Sequence, residues 1–156
     1  MPNLYVFRHG EAVTSLPDFD RPLNEKGLSD IEKVSKEFNI DSLRKTMFAT
    51  SPAVRTLQTA EILQRNLELK NMTFVIEENG YLANDVIWFA FLEKLPKTFG
   101  ACIIVGHNPG ITNLLQRLTG EDILMLPGTG VKIRLLTKEW KEVFDGTGEV
   151  TKIFTP

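Results

Sequence analysis

Short apolar runs alternate with amphipathic stretches along this chain. Leu4-Tyr5-Val6-Phe7, Lys45 to Ala49, Met72 to Ile76 and Ala101 to Val105 each predict a strand, and the Tyr, Val and Phe of the first favour burial on both faces. Helical periodicity fills the gaps. Leu28, Ile31, Val34 and Phe38 recur at three- and four-residue steps, with Asp30, Glu32, Lys33 and Lys36 between them and Gly27 marking the start. Thr50-Ser51-Pro52 predicts a second start, with Ser51 as N-cap and Pro52 at the first helical position; Ala53, Leu57, Ala60, Ile62 and Leu63 supply the apolar surface to about Leu67. Val86 to Leu95 reads as a buried helix with Asn84 or Asp85 as cap and Pro96 as stop. Its aromatic run Trp88, Phe89 and Phe91 reads as core packing. Gly106 to Gly110 leads into a fourth helix carrying Ile111, Leu114, Leu115 and Leu118 and ending near Gly120.

Val131 to Leu136 and Val150 to Phe154 are further strands, each preceded by a pair of glycines, with a turn of helix around Glu139 to Val143. Ser15 to Lys26, containing Pro17 and Pro22, is a polar loop, and Glu77-Glu78-Asn79-Gly80 opens another. Strand and helix alternate over the first two-thirds, which predicts an α/β fold: a three-layer α/β/α sandwich with a mostly parallel open sheet and an antiparallel edge strand. No repeat, low-complexity segment or linker interrupts the pattern, so residues 1–156 read as one domain.

Composition narrows the partners. A formal net charge of −2 gives no support for broad nucleic-acid or anionic-membrane binding, so any affinity for phosphate must be local. The lone Cys102 lies inside an apolar run, which excludes an internal disulfide and reads as a buried structural thiol suited to a reducing compartment. Leu4 to Phe7 is too short for a signal or a membrane span, and no stretch approaches ~18 apolar residues. The expectation is a soluble, cytoplasmic protein.

The only two histidines lie in Arg8-His9-Gly10-Glu11 and Gly106-His107-Asn108-Pro109-Gly110, each directly after a predicted strand. Ligands of open α/β sheets bind at the carboxyl ends of the strands, and Arg55, in the first turn of the second helix, reaches that same edge. Two arginines and two histidines make a small cationic pocket. Arginine forks match phosphate oxygens, and the helix N-termini after Ser51 and Asn108 would add backbone donors. A metal site does not fit, since no cysteine cluster exists, the carboxylates are not at ligand spacing and the arginines would repel a cation.

These segments, with Ser51-Pro52-Ala53-Val54-Arg55-Thr56-Leu57-Gln58-Thr59-Ala60 between them, make the chain resemble the histidine phosphatase (phosphoglycerate-mutase-like) superfamily. Small size, Asp20-Arg21-Pro22-Leu23 and the Gly-His-Asn-Pro form are most similar to its SixA-like phosphohistidine phosphatases. The resemblance implies His9 as nucleophile, with Arg8, Arg55 and His107 stabilising the phosphoryl oxygens and no cofactor. Gly10, Arg21 and Asn108 are candidate substrate-binding residues. For Arg21, a loop salt bridge with Asp18 or Asp20 is an equal alternative.

The leaving group separates the substrates. An alkoxide needs a general acid, whereas a phosphoimidazole protonated on its ring leaves as neutral imidazole. Glu77, Glu78 and Asp85 lie where ester-cleaving relatives place an acid, but in none of their usual motifs. The expected substrate is therefore a phosphorylated protein, such as a histidine-containing phosphotransfer domain. A small phosphate ester, or noncatalytic binding of a phospho-ligand, is the alternative.

Overall fold

The computed structural model of the protein describes residues 1–41 and 44–156. Its core is a six-stranded sheet built from β1 (Asn3–Arg8), β2 (Thr46–Thr50), β3 (Met72–Ile76), β4 (Ala101–Gly106), β5 (Gly130–Leu135) and β6 (Gly148–Phe154), in the order β3-β2-β4-β1-β5-β6. The first four strands run parallel. β5 is antiparallel to β1, and β6 to β5, so the two C-terminal strands form the antiparallel edge of a mixed sheet.

Alternation along the strands divides the core into two layers. Leu4 and Val6 of β1 and Cys102 and Ile104 of β4 pack with Trp88 and Leu92 of α3 (Asp85–Glu93) and Ile111, Leu114 and Leu118 of α4 (Gly110–Thr119). Tyr5, Phe7, Ile103 and Val105 point the other way, against Ile31 and Val34 of α1 (Glu25–Glu37) and Ala60 and Leu63 of α2 (Val54–Arg65). Successive Cβ atoms of a strand point to opposite faces, so these uninterrupted apolar runs are what a sheet covered on both sides demands. Cys102 is fully buried, and burial pushes its thiol up.

Several local expectations are corrected. α1 begins at Glu25, not Gly27, because Asn24 caps it by accepting from the Gly27 amide at 2.8 Å. Gly27 is required for another reason: a Cβ there would lie 2.1 Å from the Glu11 carbonyl oxygen, so α1 can approach the chain beyond β1 only through a glycine. Leu28 is largely exposed, and the buried stripe of α1 is Ile31 and Val34 with Gly27, Asp30 and Ser35. α2 starts at Val54 with Ala53 in the N-cap position, and Ser51 is drawn into the site described below. The polar loop contains a 3-10 turn, Asp18–Asp20, and an isolated bridge between Ala12 and Leu23. Val86 is exposed at the start of α3, where Asn84 is the cap. Among the described residues, no helix is long and apolar enough to cross a membrane.

Candidate active site

The register of the two central strands brings the histidines together. Arg8 of β1 pairs with Gly106 of β4, so the next residue on each strand emerges at the same carboxyl edge. The rings of His9 and His107 lie 5.3 Å apart between centroids, and both are buried. Arg55, near the start of α2, enters from the exit of the neighbouring strand β2 and is also buried.

Hydrogen bonds settle the protonation of both rings. Nδ1 of His9 lies 2.7 Å from the Gly10 carbonyl oxygen, which can only accept, so Nδ1 carries the proton. Arg55 Nε donates to His9 Nε2 at 3.2 Å, and Nε2 therefore holds a lone pair. At His107 the pattern is reversed. Arg55 Nη2 faces Nδ1 at 3.3 Å and can only donate, which leaves the proton on Nε2, 2.6 Å from Ser51 Oγ. Ser51 Oγ also accepts from the Ala53 amide at 3.3 Å.

Both imidazoles are held neutral. Burial is the main cause for His9, opposed by its bond to the Gly10 carbonyl and reinforced by the Arg55, Arg8 and Arg21 charges, and its pKa is pushed down to about 4. His107 is pushed down to about 3, by burial first and then by His9 and Arg55. Arg8 donates through Nη1 to the Met125 carbonyl at 3.0 Å, and its Nε is buried without a partner.

The cavity measures about 350 Å³ and is lined by Arg8, His9, Arg55 and His107 together with Asp18, Arg21 and Asn108. Arg21 bonds the Val13 carbonyl at 3.2 Å and Asp18 Oδ1 at 2.6 Å. Asn108 Nδ2 donates to the Met125 carbonyl at 3.0 Å, and Asn108 Oδ1 accepts from Thr112 Oγ1 at 2.7 Å. Gly10 is engaged behind the cavity, its amide on Thr59 Oγ1 at 3.1 Å and its carbonyl on His9. A Cβ on Gly10 would lie 3.0 Å from the Gly27 carbonyl oxygen, so the close approach it allows is to α1.

None of Glu77, Glu78 and Asp85 lines this cavity. Glu77 accepts from the Asn79 amide beside a separate apolar groove of about 460 Å³ between β2 and α3, and Asp85 pairs with Arg117 at 2.7 Å. The carboxylates that do line it are Glu11 and Asp18. Asp18 receives Arg55 Nη2 at 3.1 Å, Arg21, and the hydroxyl of Tyr81, while its backbone carbonyl takes Arg55 Nη1 at 2.6 Å. The Tyr81 bond, then those of Arg21 and Arg55, holds the Asp18 carboxyl well below the usual carboxylate range. Asp18, Ser51 and Tyr81 were not legible as site residues. The three-residue spacing of Asp18 and Arg21 was the one visible signal. No group of three or more His, Cys, Asp or Glu among the described residues is placed to hold a metal ion.

Known proteins resemble the chain in sequence and in fold. The family model described as histidine phosphatase superfamily (branch 1) matches residues 4–79. An uncharacterised protein of Picosynechococcus sp. is 33% identical over 114 residues, which is 69% of this chain and 67% of that protein. A structure from Nakamurella multipartitia designated SixA superposes with a TM-score of 0.85 at 18% identity, covering 99% of this chain and 96% of the other. The protein histidine phosphatase SixA complexed with tungstate gives 0.79 at 18% identity, covering 98% and 96%. At these identities the likeness to the two structures is one of fold.

Proposed function

Because the chain belongs to the histidine phosphatase superfamily, we propose that it hydrolyses phosphohistidine on a protein through a covalent phosphohistidine formed on His9. The observation that carries this reading is the tautomer of His9. With Nδ1–H bonded to the Gly10 carbonyl, the Nε2 lone pair faces the cavity beside Arg55, where a phosphoryl group would be attacked in line. Arg55 and His107 meet on the side of that lone pair, and Arg8 brings a further guanidinium. These groups suit the three phosphoryl oxygens, and their charge stands where phosphoryl transfer needs it, so the step requires no metal ion. Water then hydrolyses the intermediate. SixA, which shares this fold, forms a complex with the oxyanion tungstate, and this supports an oxyanion ligand here.

Two features favour phosphohistidine over an ester. Asp18 is held anionic by its donors and is a poor proton source for an alkoxide, while Glu77 and Asp85 are engaged elsewhere. Exposed apolar side chains also gather at the mouth. Leu82 lines the cavity, Leu126 lines the adjoining groove that shares Glu11 and Pro127 with it, and Phe19 packs against Tyr81. Such a collar suits a protein surface that presents the phosphorylated side chain.

The test is turnover of a phosphohistidine protein beside a panel of phosphomonoesters, with EDTA present and His9→Ala as blank. Preference for phosphohistidine with a silent blank is expected. Preference for an ester moves the enzyme to small-molecule phosphatase chemistry, turnover of neither leaves a binding module, and near-normal turnover in His9→Ala overturns the covalent mechanism.

A further inference from the structure

Asp18 both holds Arg55 and lines the cavity. The guanidinium of Arg55 is planar and presents its donors in fixed directions. Its Nε and Nη2 edge meets the two histidines, and its Nη1 and Nη2 end meets Asp18. The backbone carbonyl of Asp18 anchors that end at 2.6 Å, and the carboxylate adds a contact to Nη2 at 3.1 Å.

The carboxylate also keeps acceptor capacity. A carboxylate offers about four lone-pair sites, two on each oxygen. Oδ2 accepts from Arg55 and Tyr81, whereas among the described residues Oδ1 accepts only from Arg21, which leaves one site on Oδ1. The Asp18 side chain is 46% exposed, while His9 is 9% and His107 2% exposed. Asp18 thus stands at the mouth and the nucleophile at the floor. A phosphoryl group attacked in line by His9 would carry its leaving group away from that ring, toward the mouth of the cavity that Asp18 also lines.

We propose that the Asp18 carboxylate recognises the leaving group, accepting a hydrogen bond from the distal ring N–H of a protonated phosphoimidazole and disfavouring a leaving oxyanion. This inference rests on the phosphohistidine reading above. In the step, the Nε2 lone pair of His9 forms the new bond to phosphorus and the old P–N bond breaks, its electron pair passing to the departing ring nitrogen. The distal nitrogen keeps its proton and its bond to Asp18, so the ring departs as neutral imidazole. No proton has to be delivered during bond breaking. An ester has no such N–H. Its developing alkoxide or phenoxide would face a fixed negative charge, and like charges in a partly desolvated site repel.

Wild-type enzyme and Asp18→Asn are compared on phosphoimidazole and p-nitrophenyl phosphate, with inorganic phosphate as a competitive inhibitor of each. Asparagine is close to isosteric with aspartate and removes the charge. The expected result is a loss in kcat/KM for phosphoimidazole about tenfold or more greater than any change on the ester, with phosphate bound at least as tightly. An equal loss on both substrates, or weaker phosphate binding, overturns the proposal by showing that the carboxylate acts only through Arg55. No loss on either overturns it as well. A wild-type enzyme that cleaves the ester and not phosphoimidazole instead defeats the phosphohistidine reading, and this inference with it.

Discussion

Titration of the two histidines gives the sharpest check on the site, because the chain contains no others. An ordinary histidine has a pKa of about 6.5, so at pH 5.5 only about one tenth of it is neutral. His9, pushed down to about 4, would be about 97% neutral at that pH. On the proposed mechanism His9 would therefore remain competent as nucleophile through the range in which a solvated imidazole is lost, with its acid limb near pH 4. The same shift bears on stability. The unfolded chain takes up protons on both histidines as pH falls through about 6.5, while the folded site refuses them until about 4 and 3. Stability contributed by neutral burial is thus fully present above pH 6.5 and declines steadily as pH falls toward 4. For His9 alone the 2.5-unit gap corresponds to about 3 kcal/mol. The assay is an NMR titration of the imidazole Cε1–H signals, assigned with His107→Gln, run beside urea unfolding at stepped pH. A His9 midpoint near 6.5, or unfolding stability that does not change between pH 7 and pH 4.5, would refute the buried neutral pair.

Arg55→Ala and His107→Ala are each expected to lower kcat by about 3 kcal/mol, roughly 100-fold, in single-turnover assays, by analogy with the removal of an oxyanion donor. A loss confined to KM would mean that neither group acts in the transition state. Ser51→Ala leaves the buried Nε2–H of His107 without its acceptor and is expected to cost about 1–3 kcal/mol in urea unfolding, with a fall in kcat; unchanged stability and kcat would exclude Ser51 as the group that orients His107. In Gly110→Ala the new Cβ would stand 1.8 Å from the Ala83 carbonyl oxygen, so the start of α4 and the loop bearing Tyr81 and Leu82 must separate. The expected cost is about 3 kcal/mol or more, and a urea midpoint near wild type would contradict that packing. Leu126→Asp places a charge on an exposed position in the groove adjoining the cavity. It is expected to reduce kcat/KM on a phosphohistidine protein by about tenfold and spare p-nitrophenyl phosphate; equal effects would remove the collar as a docking surface.

Features set by local pattern were legible in the sequence, and those set by distant polar contacts were not. Runs such as Leu4 to Phe7 and Ala101 to Val105 can satisfy their apolar side chains on both faces only inside a covered sheet, so the fold class followed from them. Placement of His9 and His107 at strand exits followed too, since the edge they share is decided by parallel pairing. The role of Ser51 did not follow. Ser-Pro after a strand predicts an N-cap, yet Ser51 lies 56 residues from the imidazole whose buried N–H it accepts, and that donor outweighs the capping preference. Asp18 was hidden for the same reason: its spacing to Arg21 was visible, whereas its bonds to Arg55 and Tyr81 span 37 and 63 residues. Leu28 shows the opposite failure, a periodic position on the rim of the buried stripe where α1 meets solvent.

The site keeps two uncharged imidazoles beside three guanidinium groups, and this combination links anion binding to the nucleophile. In the free protein Arg55 directs Nε at His9 and Nη2 at His107, over distances of 3.2 and 3.3 Å, at the long end for hydrogen bonds. A phosphoryl group offers stronger, charged acceptors at the same place. On the proposed mechanism, an Arg55 that turned its Nε/Nη2 edge to those oxygens would release the lone pair of His9 Nε2 toward the phosphorus it attacks. His107 changes as well: a dianion beside Nδ1 favours the imidazolium, which raises a pKa that burial, with the His9 and Arg55 charges, holds down. Orthovanadate or tungstate should therefore raise the His107 midpoint in the NMR titration. A midpoint indifferent to either anion would mean that His107 does not meet the phosphoryl oxygens.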